Sequence, residues 1–137
     1  MGQSLDELRA RYPGAVAYRF GASPEGSAAL LALVRAGRKR ATCLAEAEVE
    51  AGEAPPVVGR CDIAVDFEGV PQLVTRTLEL RRVRFCDMTE EMALVEGEDE
   101  DLAGWREGHE RYYRRAGIFH PEMGLIWERF ELVEDLA

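Results

Sequence analysis

Lys39 is the only lysine among 17 basic residues, the rest being arginine. A solvated positive charge tolerates either residue. A group that must lose a proton does not, because guanidinium stays charged while an amine can be tuned by burial. Lys39 stands in the segment Gly37-Arg38-Lys39-Arg40-Ala41-Thr42-Cys43, which with Arg35 forms the densest basic cluster of the chain. The other candidates for chemistry are weaker. His109 and His120 have no metal-ligand spacing to any Cys or His, so no metal and no cofactor is expected. From Asp87 to Asp101, ends included, there are eight carboxylates and no basic residue, without the ligand rhythm of a calcium loop, which reads as a solvated face. Trp105, His109, Tyr112 and Tyr113 recur at helical spacing, as a packed face or as a platform for stacking a base.

Charge limits the partners. The net charge is −9, yet residues 1–45 carry seven basic and three acidic residues, and the acid is concentrated afterwards. So acidic a chain does not coat nucleic acid, and an anionic ligand has to be met locally. Arg38, Lys39 and Arg40 are the expected contacts, helped by Arg81 or Arg129. The three cysteines, Cys43, Cys61 and Cys86, are odd in number and far apart, so no disulfide framework is written and a reduced, cytoplasmic setting is expected. The segment Met1–Glu7 is acidic and has no apolar stretch of the signal-peptide kind, so export is not expected, and no apolar run approaches the roughly 20 residues of a membrane span.

The elements that must position Lys39 are marked by their ends. Ser4-Leu5-Asp6-Glu7 is a capping box that opens a short helix stopped at Pro13-Gly14. Ser23-Pro24 opens a second helix, through Leu30, Leu31, Leu33 and Val34, that stops at Gly37. The basic cluster therefore follows a helix end. A short strand at Thr42–Leu44 comes next, then a strand with Cys61, Ile63, Val65 and Phe67 in alternation. Gln72–Phe85 is a long β run whose apolar phase flips, which predicts a bulge or bend between residues 80 and 83. Met88–Val95 and Leu102–Ala116 are helical, and Leu125–Val133 closes as a strand. The pattern predicts one domain over residues 1–137, of α+β class, built on a small closed barrel with helices before and within the strand series.

An ordered series of motifs runs along this frame: Phe20-Gly21, Gly37–Thr42, Gly59-Arg60-Cys61-Asp62, Met88-Thr89-Glu90-Glu91, Glu96-Gly97, Trp105, His109 and Glu128-Arg129-Phe130. From residue 20 to residue 133 the chain resembles an ASCH domain, a relative of the PUA-like RNA-binding barrels. Small members are similar to amidohydrolases that remove the acetyl group from N(4)-acetylcytidine with a lysine, a threonine three residues later and a distant glutamate. The resemblance carries these roles to Lys39, Thr42 and Glu96. Longer members resemble ribonucleases or RNA-binding modules. The implied partner is RNA or a modified nucleoside, with Arg38, Arg40, Trp105 and Arg129 as binding residues.

The chemistry of the trio is coherent by itself. Amide or ester hydrolysis needs a nucleophile, a proton acceptor and a group that orients them. Thr42 offers a hydroxyl, a desolvated Lys39 a neutral amine, and Glu96 a carboxylate to hold the ammonium. The same residues have a plain structural use: a charge at a helix C-terminus, a strand residue and part of an acidic loop. Residue types and spacing leave hydrolase, ribonuclease and non-catalytic binding module open.

Overall fold

The computed structural model describes residues 3–136. Its elements in chain order are α1 (Leu5–Arg11), β1 (Ala17–Arg19), α2 (Pro24–Arg35), β2 (Ala41–Ala45), α3 (Glu46–Glu50), β3 (Cys61–Val65), β4 (Pro71–Arg84), α4 (Glu90–Val95), α5 (Leu102–Arg115) and β5 (Gly124–Asp135). A single turn of tighter helix, Phe85–Asp87, joins β4 to α4. The caps explain the helix starts. Ser4 Oγ accepts from the Glu7 amide at 3.1 Å, Ser23 Oγ from Gly26 at 3.0 Å, and Asp101 Oδ1 from Gly104 at 2.7 Å. No helix among the described residues is long and apolar enough to cross a membrane.

The strands form one five-stranded sheet in the order β1-β3-β4-β5-β2, with β1 parallel to β3 and every other pair antiparallel. The α+β class is as the sequence predicts; a closed barrel is not what forms. β1 is only three residues long and gives way at Phe20-Gly21 to α2, so no ladder runs from β1 to β2 and the sheet stays open. The bend in β4 also lies earlier than its apolar phase suggests. Thr77 pairs with Phe130 and Glu79 with Arg129, leaving Leu78 as the extra residue, and a second register shift lies between Val74 and Thr75. β3 departs from simple alternation too. Ala64 and Asp62 are buried along with Ile63, and Asp62 is satisfied by the Arg60 guanidinium at 2.8 Å and the Val16 amide at 2.9 Å.

Three apolar clusters hold layers against this sheet. Phe85, Met92, Trp105, Tyr113, Leu125 and Trp127 fasten α4 and α5 over the β2–β5 side. Phe20, Leu31, Val34, Leu73 and Phe130 fasten α2, and Leu8, Ile63, Val65 and Val74 seat α1. Each large side chain so buried contributes roughly 1.5–3 kcal/mol of transfer free energy. The helix α3 (Glu46–Glu50) follows β2 directly, an element that the sequence pattern did not predict.

Candidate functional site

The gap where the sheet fails to close is a cleft of about 610 Å³. Tyr18 and Phe20 line it from the β1 edge, Thr42 and Cys43 from β2, and Glu96 and His109 from the helical layer. Thr42 and Cys43 lie on opposite faces of β2 by strand alternation, but at an open edge both reach the cleft. The Thr42 hydroxyl has no hydrogen-bond partner among the described residues.

Lys39 is brought here by two local devices. First, α2 ends in a Schellman turn: the Gly37 amide donates to Val34 O and the Arg38 amide to Leu33 O, with Gly37 at φ +76°. That turn folds residue 39 back beneath the helix. Second, the Arg40 amide donates to Val95 O at 3.0 Å, and Gly97, at φ +75°, presses its backbone against Arg38 and Lys39. The end of α4 is thereby docked on the lysine. Lys39 is 1% exposed, and its Nζ donates to Ala41 O (2.8 Å), Glu96 O (3.3 Å) and Glu98 Oε2 (2.7 Å). Three acceptors around one nitrogen match the three N–H bonds of an ammonium. The Phe20 ring lies 5.7 Å from Nζ.

Glu96 thus meets Lys39 through its carbonyl, while its carboxylate turns to other partners. Oε2 accepts from Trp105 Nε1 at 2.9 Å and from the Cys43 thiol at 3.2 Å. Oε1 is buried without a hydrogen bond, 3.5 Å from His109 Nε2. The His109 ring stacks on Trp105 with centroids 4.1 Å apart, and its Nδ1 donates to Trp105 O at 2.9 Å. Burial alone would raise the Glu96 pKa, but the neighbouring His109 and the Lys39 charge outweigh it and hold the carboxyl below its ordinary value. Burial likewise pulls His109 down, yet the Glu96 carboxylate outweighs it and leaves the imidazole above its ordinary 6.5. Burial, then the adjacent Glu96, pushes the Cys43 thiol well up, so this cysteine is a donor and not a thiolate.

This coupling has a sign that can be measured. With Glu96→Gln, the groups that raise His109 lose their main member while its burial persists, so the His109 pKa should fall. NMR titration of the imidazole reads it directly, and an unmoved midpoint would refute the pairing. In the intact protein the raised His109 pKa contributes stability below pH 6.5 that is lost as pH rises through the folded value. The lowered Glu96 pKa contributes stability that is present above pH 4.5 and lost on acidification through the folded value.

The binding residues expected from the sequence do not gather in the cleft. Trp105 is fully buried and serves Glu96 from inside the core. Arg38 and Arg40 are exposed outside it, Arg40 Nε donating to Gly37 O. Arg129 reaches across to Glu79 at 3.0 Å. Arg81, Arg82 and Arg84 are similarly taken by Glu79, Glu46 and Asp87. In place of the carboxylate of Glu96, the ammonium of Lys39 meets Glu98, two residues on in a run that reads as solvated acid. The solitary lysine marks residue 39 as unusual, but nothing local in the sequence points to Glu98 as its partner. Glu128 was visible only as a motif letter, yet it lies directly opposite Thr42 in the β2–β5 ladder and lines the cleft.

The wall is strongly acidic. Glu48, Glu53, Asp62, Glu96, Glu98, Asp99 and Glu128 line it, against Arg19 and Arg60 as the cationic side chains. A polyanion is repelled by such a field, whereas an uncharged ligand with N–H or O–H donors is not.

Comparison with known proteins agrees with this architecture. The family model for the ASCH domain matches residues 16–134. An ASCH domain structure from Lactobacillus crispatus JV V101 is similar, with 27% identity, a TM-score of 0.76, and coverage of 94% of this chain and 86% of that one. A protein of Enterococcus faecalis V583 is similar at 26% identity and a TM-score of 0.82, over 96% of this chain and 86% of that one. None of the curated proteins matches the chain.

Proposed function

Because the chain belongs to the ASCH domain family, we propose that its cleft takes a small modified nucleoside and hydrolyses an amide or ester on it. Thr42 is the nucleophile in this reading, and Lys39 and Glu96 hold the charge balance around it. The observation that carries it is a free Thr42 hydroxyl on a wall dominated by carboxylates. A nucleoside without phosphate can enter such a wall, and its base can lie against Tyr18 and Tyr112. A ribonuclease reading has less support, since His109 is tied to Trp105 and His120 is exposed, with its Nδ1 accepting from the Glu122 amide. One observation favours a cleft that recognises without turnover: the Lys39 ammonium already has three acceptors.

The test is a panel of N-acyl and O-acyl nucleosides beside short RNAs, reading acid release and strand cleavage in parallel. Acid release from nucleosides alone is expected. Salt adds a second axis. Nucleoside affinity should stay unchanged between about 50 and 200 mM salt, because no phosphate contact releases counterions. A short RNA should bind weakly, and losing about 20-fold over that range would mark roughly three phosphates engaged. Tight, steeply salt-dependent RNA binding would overturn the nucleoside reading.

A further inference from the structure

Resting on that reading, we propose that Glu128 is the general base and acid of the reaction, the group that takes the proton of Thr42. Thr42 and Glu128 are cross-strand partners in the antiparallel β2–β5 pair, and both line the cleft. Directly opposed residues project from the same face with Cβ atoms about 5 Å apart, a separation that a glutamate and a threonine side chain can close to hydrogen-bond distance. One carboxylate oxygen of Glu128 is fixed by the Thr77 hydroxyl at 2.7 Å, and the other has no hydrogen-bond partner among the described residues.

The alternatives at hand are committed elsewhere. Lys39 is enclosed, its nitrogen spent on three acceptors. The Glu96 carboxylate lies with Cys43, on the other face of β2 from Thr42. In the step itself, Thr42 Oγ1 attacks the acyl carbon while its proton passes to Glu128. The bond from carbon to the leaving nitrogen breaks, and Glu128 returns the proton to that nitrogen. Water then attacks the acyl-Thr42 ester and gives a proton to Glu128. The ester bond breaks, Thr42 recovers the proton, and the free acid leaves.

The environment makes Glu128 a stronger base than a solvated carboxylate. Burial raises the Glu128 carboxyl above 4.5, against the lowering effect of the Thr77 hydroxyl, and the charges facing it are Asp62 on one side and Arg60 and Lys39 on the other. Since the ionised form is the base, kcat/KM should fall on acidification through that raised value. Thr77→Val removes a hydrogen bond that favours the carboxylate and should move this limb to higher pH.

The experiment treats the full chain and its Glu128→Gln and Thr77→Val variants with N(4)-acetylcytidine, following acetate, and with p-nitrophenyl acetate, following acetylation of Thr42 by peptide mass. Glu128→Gln should lose about 10²–10⁴-fold in kcat and lose the Thr42 adduct while still binding cytidine. If wild type turns over and Glu128→Gln stays within about threefold of it, the base lies elsewhere, although the hydrolase reading survives. If wild type neither releases acetate nor forms the adduct, both the hydrolase reading and this assignment fall. Should Glu128→Gln not fold, Thr77→Val decides: an unshifted acid limb overturns the proposal.

Discussion

Gly97→Ala is expected to destabilise the protein by about 3 kcal/mol or more, far beyond the usual cost of a surface glycine. Two effects add at this position. The backbone sits at φ +75°, where a side chain is strained by about 1 kcal/mol. A Cβ there would also lie 2.1 Å from Arg38 O and 2.8 Å from Lys39 Cα, atoms that cannot swing aside as a side-chain tip would. The chain must separate at the contact that presents Glu96 and Glu98 to Lys39. Because β2 follows directly from this contact, a shift near 1 Å passed on to Thr42 would be enough to slow the proposed hydrolysis about 100-fold, even in the folded fraction. Gly59→Ala is the matched control, with φ +87° and nothing within 4 Å of the added carbon. It should cost only about 1 kcal/mol. Equal urea midpoints for the two variants would show that the Gly97 contact is not what holds the site.

Lys39→Met should cost about 3 kcal/mol, seen as a fall of roughly 10 °C in Tm. Methionine nearly fills the volume but leaves Ala41 O and Glu96 O buried without their donor. It also strips Glu98 of its cation, though that carboxylate is 27% exposed and water takes over part of the role. The loss therefore sits at the lower end of the range for a broken buried pair. Lys39→Arg should be destabilising too, although it preserves the charge. A planar guanidinium cannot aim three N–H bonds at three converging acceptors in a space shaped for one nitrogen. Had Lys39 been only a charge at a helix end, arginine would be neutral. Urea titration of both variants decides, and a Lys39→Arg midpoint matching wild type would contradict the enclosed geometry.

Much of the frame was legible because its signals are local. Ser4, Ser23 and Gly37 mark helix ends by chemistry confined to a few residues, and the structure has helix ends at each. β5 is recognisable from Ile126 and Phe130, though it runs on to Asp135. What was not legible depends on distant pairings. Leu78 is the bulged residue only because Phe130 and Arg129 take the positions on either side of it. The open sheet follows from β1 stopping after three residues, which no composition announces. Within the site, the oddity of Lys39 pointed to burial, but its partner Glu98 and the turning of the Glu96 carboxylate toward Trp105 are set by how α4 and α5 dock.

The enclosure of Lys39 also makes the protein almost mute to amine chemistry. The sequence offers one side-chain amine, and in the fold it is covered on every side by Phe20, two carbonyls and Glu98. Reagents that acylate or cross-link lysines meet no such group until the α4 junction opens. Labelling at residue 39 is then a clock for that opening, reporting breathing of the α4 side of the cleft without any probe being introduced.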